Sequence, residues 1–123
     1  MILQGDFYTI NNLQVVGTTV NAELVLNAGH SIYEGHFPGQ PVTPGVCMMQ
    51  MIKELIETVL KINTKLNRVN EMKFLRMIIP GENNHVQAQL KYDIEAGGAI
   101  MVTAALLRDT ATHFKFKGSF LPD

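Results

Sequence analysis

Gly35-His36-Phe37-Pro38-Gly39-Gln40-Pro41-Val42-Thr43-Pro44-Gly45-Val46 is the stretch that decides how this chain folds. It ends a segment, Gly29 to Gly45, that holds four glycines and three prolines in seventeen residues. So many turn formers exclude a regular element there. Ile32, Tyr33, Phe37 and Val42 nevertheless make the segment apolar, so it is expected to pack as a rigid loop, a common host for chemistry. Its end reads as a helix start. Thr43 can N-cap, and Pro44 suits the first helical position, where its missing N–H would have been unpaired anyway. From Val46 to Ile52 the residues are apolar nearly all round, which predicts a helix buried on all sides in its first turns. Later turns set Leu55, Ile56, Val59, Leu60 and Ile62 against Lys53, Glu54, Glu57 and Lys61, and the helix is expected over about 44–62.

The flanking sequence reads as β. In Thr18 to Asn27, Val20, Ala22, Leu24 and Leu26 share one face and Thr19, Asn21 and Glu23 the other. Shorter strands are expected around Phe7–Ile10 and Leu13–Val16. Beyond the helix, Glu71–Ile79 is expected as a strand ended by Pro80-Gly81. Val86, Ala88, Leu90, Tyr92 and Ile94 then alternate against Gln87, Gln89, Lys91 and Asp93. Gly97-Gly98 turns the chain into Ala99–Arg108, and Thr112–Phe120 alternates again. The pattern is α+β: one long helix with an antiparallel sheet of five or more strands wrapped around it.

At 123 residues and 13.7 kDa the chain is expected to be one domain, 1–123. Hydrophobic residues are 46% and charged residues 17%, below the ~25% charged of an average soluble domain. A chain this small has little interior in which to hide that apolar excess, so a partner subunit or a lined cavity is expected to take it. Ten Lys and Arg against eleven Asp and Glu give a net charge of −1, which argues against a nucleic-acid partner. The single cysteine, Cys47, excludes an internal disulfide or a multi-cysteine zinc site, and no metal or cofactor is expected. The start, Met1 to Asp6, lacks the pattern of a signal peptide. The apolar window Val46–Ile62 carries too many charges to span a membrane. A cytoplasmic protein with no membrane partner is the resulting expectation.

The twelve-residue motif that opens at Gly35 resembles the hallmark of the (3R)-hydroxyacyl-[acyl-carrier-protein] dehydratases of fatty acid synthesis, Gly-His-Phe-Pro-Gly-x-Pro-(apolar)-x-Pro-Gly-Val. The element order is similar to that family's hotdog fold across almost the whole chain. The resemblance implies that His36 is the base that removes the C2 proton of a 3-hydroxyacyl thioester, a task that suits neutral imidazole. The amide of Gly45, at the helix N-terminus, would bind the thioester carbonyl, where free N–H groups and the helix dipole favour growing negative charge. Phe37, Pro44, Val46 and Met49 would contact substrate. The substrate would be carried on acyl carrier protein or coenzyme A. The chain would form a homodimer, or a higher oligomer, with each site taking His36 from one chain and the helix residue from the other.

The helix residue departs from the family pattern. Fourteen residues after His36 the family has an acid that protonates the leaving hydroxyl; this chain has Gln50. Glutamine can hydrogen-bond a hydroxyl but cannot act as a general acid. Glu54 shares a helix face with Gln50 but is displaced by one turn, roughly 6 Å. Three readings follow: a dehydratase completed by Glu54, Glu34 or a water held by Gln50; a catalytically impaired acyl-binding or structural subunit; or a hotdog acyl thioesterase in which Gln50 and the helix terminus polarise the carbonyl. Under the first two, Gln50→Glu is expected to raise dehydration.

The other candidates have plainer readings. His30, His85 and His113 show no metal-ligand spacing and are read as surface or sheet histidines. Cys47 is read as a buried, inert thiol, and Met48, Met49, Met51, Met72, Met77 and Met101 as core, with the lining of an acyl tunnel as the functional alternative for any one of them. Lys61, Lys65, Arg68, Lys73 and Arg76 are read as a solvated face, with docking of an acidic carrier protein as the functional alternative.

Overall fold

The computed structural model describes residues 2–81 and 83–123. Its elements are β1 (Tyr8–Val16), β2 (Thr19–Leu26), α1 (Ile32–Gly35), α2 (Gly45–Leu60), β3 (Thr64–Phe74), β4 (His85–Ile94), β5 (Ile100–Arg108) and β6 (Ala111–Pro122). The strands form a six-stranded sheet in the order β1-β2-β4-β5-β6-β3, antiparallel at every pairing. Short hairpins explain most of that order. The exceptions are the pairing of β2 with β4, made across the intervening helices and β3, and β3 itself, which follows α2 and closes the far edge against β6.

Register brings the alternating apolar residues into rows across the sheet. One row runs Val20, Leu90, Ala104, Phe116, Met72, and the next runs Ala22, Ala88, Leu106, Phe114, Phe74. Ala22, Ala88 and Ala104 lie on β2, β4 and β5, and both rows end in large residues on β6 and β3. Except for Phe74, which is exposed at the sheet edge, these rows join the inward face of α2, from Cys47, Met48, Met51, Ile52, Leu55 and Ile56, in one core cluster. The expected α+β fold with a sheet about a long helix is therefore present.

Several local expectations need correction. The loop 29–45 contains one turn of helix, α1, because Tyr33 turns inward to stack on Phe7 at 5.3 Å. Thr43 does not cap α2. Its hydroxyl is hydrogen-bonded to the Tyr33 hydroxyl at 3.0 Å, and Pro44 occupies the cap position in extended conformation. The helix ends earlier than expected, where Lys61 turns left-handed at φ 57. The two short strands at 7–16 are one strand with a bulge at Asn11. Burial on all sides of the first helical turns does not hold within one chain, since Val46 is 67% exposed and Met49 half-buried. Met77 is not core; it is 69% exposed.

The largest shift is β3. It spans Thr64–Phe74 rather than Glu71–Ile79, and residues 75–80 leave the sheet. The N–H groups of Leu75 and Arg76 both donate to the His113 carbonyl, which bends the chain off the strand. The N–H of Thr43 then donates to the Ile78 carbonyl, tying this segment to the loop before α2.

Candidate functional site

The motif positions its histidine by short-range bonds. Phe37 and Gln40 exchange backbone N–H and carbonyl bonds at 3.2 and 2.9 Å, and the N–H of Val42 donates to the His36 carbonyl at 2.9 Å. Gly39 sits at φ +75 in that turn, a conformation costly for any residue with a Cβ. The His36 and Phe37 rings stack at 4.3 Å.

His36 faces a cavity of about 540 Å³ lined by Phe37, Val42 and Thr43 from the loop, Gly45 and Met48 from α2, and Phe74, Leu75, Arg76 and Met77 from the end of β3 and the segment beyond it. The lining is mostly apolar. Gly45 and Val46 precede the first bonds of the helix, which run from the N–H groups of Cys47 and Met48 to the Pro44 carbonyl. Their own N–H groups thus point out of the helix end, where its dipole favours negative charge. A Cβ on Gly45 would stand 2.9 Å from the Phe74 ring. Gly45→Ala is therefore expected to push that ring across the cavity and narrow it, with little change in Tm. A Phe74 ring unmoved in the variant's structure would contradict this packing.

One atom stands out. Nδ1 of His36 is buried and has no hydrogen-bond partner. An unpaired buried polar atom costs ~1–3 kcal/mol, a cost with no structural return in a loop otherwise so fully bonded.

The cavity brings together His36, Gly45 and Phe37. The other candidates lie outside it within one chain. Glu34 is exposed on α1 and Pro44 is buried at the helix cap. Gln50 Nε2 donates to Glu54 Oε2 at 2.8 Å. Glu54 is buried and accepts three more bonds: from the N–H groups of Leu3 (2.8 Å) and Gln4 (2.7 Å) and from the Tyr8 hydroxyl (2.9 Å). Burial, and next the Glu54 carboxylate, push the Tyr8 hydroxyl far above the ordinary tyrosine range. Burial, then Glu54, also raise the Cys47 thiol, as expected for an inert cysteine. Sequence reasoning offered Met48 and Met77 as tunnel lining only as an alternative to core, and it missed Thr43, Phe74, Leu75 and Arg76. The non-alternating cluster Phe74, Leu75, Met77, Ile78 and Ile79, broken by Arg76 alone, was the available signal.

Among the described residues no cluster of three or more His, Cys, Asp or Glu could hold a metal ion. His30 lies 3.0 Å from Asp6 and His85 3.0 Å from Glu23, while His113 Nδ1 meets the Ala111 carbonyl. No described helix is long and apolar enough to cross a membrane.

A family described as ApeI-like, ApeI dehydratase, matches residues 12–112. The chain belongs to the ApeI-like dehydratase family. That match contains β2, both helices, His36 and the whole cavity wall, and it bears out the resemblance read from the motif. The chain is 29% identical over 85 residues to the 3-hydroxyacyl-[acyl-carrier-protein] dehydratase FabZ of Ralstonia nicotianae, covering 69% of this chain and 48% of that protein. It is 38% identical over 58 residues to the FabZ of Clostridium acetobutylicum, covering 42% and 41%. The chain thus spans about half the length of the curated relatives it matches. Its fold is similar to the dehydratase heterocomplex ApeI:P from Xenorhabdus doucetiae, with a TM-score of 0.68 and 20% identity over 91% of this chain and 96% of that one. An ApeI-like chain is thus a dehydratase-like hotdog protein related to FabZ.

Proposed function

We propose that this chain dehydrates 3-hydroxyacyl thioesters to trans-2-enoyl thioesters, on acyl carrier protein as the FabZ names state for those relatives. The buried, unpartnered Nδ1 of His36 beside an apolar cavity at a helix N-terminus carries this reading. The acyl chain lies among Met48, Phe74 and Met77, and the Gly45 N–H binds the thioester carbonyl. Neutral His36 takes the C2 proton, and the charge moves onto the carbonyl oxygen, where the helix terminus stabilises it. The C3–O bond breaks as the C2–C3 double bond forms. Glu54 already accepts four bonds and Glu34 is on the surface, so neither serves as the acid. The imidazolium formed at His36 returns the proton to the departing hydroxyl, and Gln50 of a second subunit holds that hydroxyl by hydrogen bonding. Water leaves, with no net redox change.

The second subunit is proposed as another copy of this chain. Edge strand β3 exposes Leu66, Val69 and Phe74, and Val46 is exposed at the start of α2; such an edge calls for a partner. The solved ApeI relative is a heterocomplex, so the alternative occupant is a different hotdog chain. Sedimentation of the purified protein is expected to give about twice 13.7 kDa, and a monomer at micromolar concentration would contradict self-pairing. The setting proposed is cytoplasmic lipid synthesis. The activity is tested by incubating the protein with a 3-hydroxyacyl-pantetheine thioester. Enoyl thioester is the expected product. Free thiol would mean hydrolysis, and unchanged substrate at high protein concentration would overturn the reading.

A further inference from the structure

We propose that Glu54 is a positioning residue for Gln50, fixing which end of its amide the site presents; this rests on the reading of Gln50 as the group that holds the leaving hydroxyl. A glutamine amide can turn either its oxygen or its nitrogen toward a neighbour. A carboxylate only accepts, so with Gln50 Nε2 donating to Glu54 Oε2 at 2.8 Å the amide oxygen is turned away from Glu54. Glu54 cannot swing to suit the alternative. Leu3 N–H holds Oε2, and Gln4 N–H and the Tyr8 hydroxyl hold Oε1. The side chain is 5% exposed. Glu54 therefore links the N-terminal segment, some fifty residues away in sequence, to the amide on α2. Around Glu54 the ionisable groups are Tyr8 and Cys47, whose ionisation it opposes, and Glu57 and Lys61, which line the same groove.

The consequence revises the expectation drawn from sequence. Gln50→Glu alone replaces a donor to Glu54 with a second acceptor. The two carboxyls would share a proton and titrate as a pair. A free acid at position 50 requires Glu54→Gln as well.

Two measurements test this. The first follows side-chain carboxyl carbons by NMR across pH and needs no substrate. In Gln50→Glu the carboxyls at 50 and 54 are expected to titrate together, with one midpoint raised by more than a pH unit. In Gln50→Glu/Glu54→Gln the carboxyl at 50 is expected to titrate singly. Independent titration in the single variant would overturn the proposal. The second measures turnover of Glu54→Gln, where kcat is expected to fall roughly tenfold to a hundredfold from misorientation with KM unchanged. A folded Glu54→Gln protein with unaltered kcat would also overturn it. Coupled titration without any dehydration by the unmodified protein would support the positioning role and count against the dehydratase reading instead.

Discussion

Replacing His36 with alanine is expected to cut dehydration by about 10²–10⁴-fold, the usual contribution of a positioned general base. In the proposed mechanism the same imidazole takes the C2 proton and returns one to the hydroxyl, so no second group stands by to replace either transfer. The effect should fall on kcat, because Phe37, Gly45 and Met48 still line the cavity and continue to bind the acyl chain. Stability should hardly change. The Nδ1 atom has no partner to lose, and the turn is held by the backbone bonds of Phe37, Gln40 and Val42, so the ring contact with Phe37 is all that the truncation removes. Steady-state kinetics with thermal melts on the same preparation check both halves. A His36→Ala protein that retains more than a tenth of its kcat would remove His36 from the chemistry.

Gly118→Val is expected to have the largest effect on the fold. Gly118 lies in β6 between Val69 of β3 and Val102 of β5. A Cβ there would collide with the backbone carbonyl of Arg68 and stand 2.7 Å from the Phe116 ring. Backbone cannot yield as a side chain can, so β3 must lift away from β6. Overpacking of this kind costs about 3 kcal/mol or more, on the order of 10 °C in Tm for a domain of this size. The loss should extend to assembly, because β3 is the edge proposed to meet the second subunit. Calorimetry and sedimentation of the variant check this. A melting temperature within two or three degrees of the parent would mean that β3 does not lie against β6 as described.

How much was legible in the sequence depended on which forces left a periodic trace. The loop and the helix start were legible because proline and glycine restrict the backbone wherever they stand. The inward rows on β2, β4 and β6 were legible because one face is buried and the other wet, and Val20, Ala22 and Leu24 alternate accordingly. Edge strand β3 was not. Lys65, Asn67, Arg68 and Asn70 are exposed, so most of the strand lacks an apolar face to announce it. The apolar run that follows lines a cavity instead of a sheet. The amide at Gln50 was visible at once. Its meaning was not, because the anchor of Glu54 comes from Leu3, Gln4 and Tyr8, and local sequence carries no signal for a contact across some fifty residues.

The most direct test is a crystal structure of the protein bound to a non-hydrolysable 3-hydroxyacyl-pantetheine analogue. The thioester carbonyl is expected within hydrogen-bond distance of the Gly45 N–H, C2 beside the His36 ring, and the 3-hydroxyl against Gln50 of the second subunit. An acyl chain seated elsewhere would contradict the dehydratase site, for instance in the groove on the outer sheet face lined by Lys91, Lys115 and Lys117. So would a hydroxyl that meets neither His36 nor Gln50.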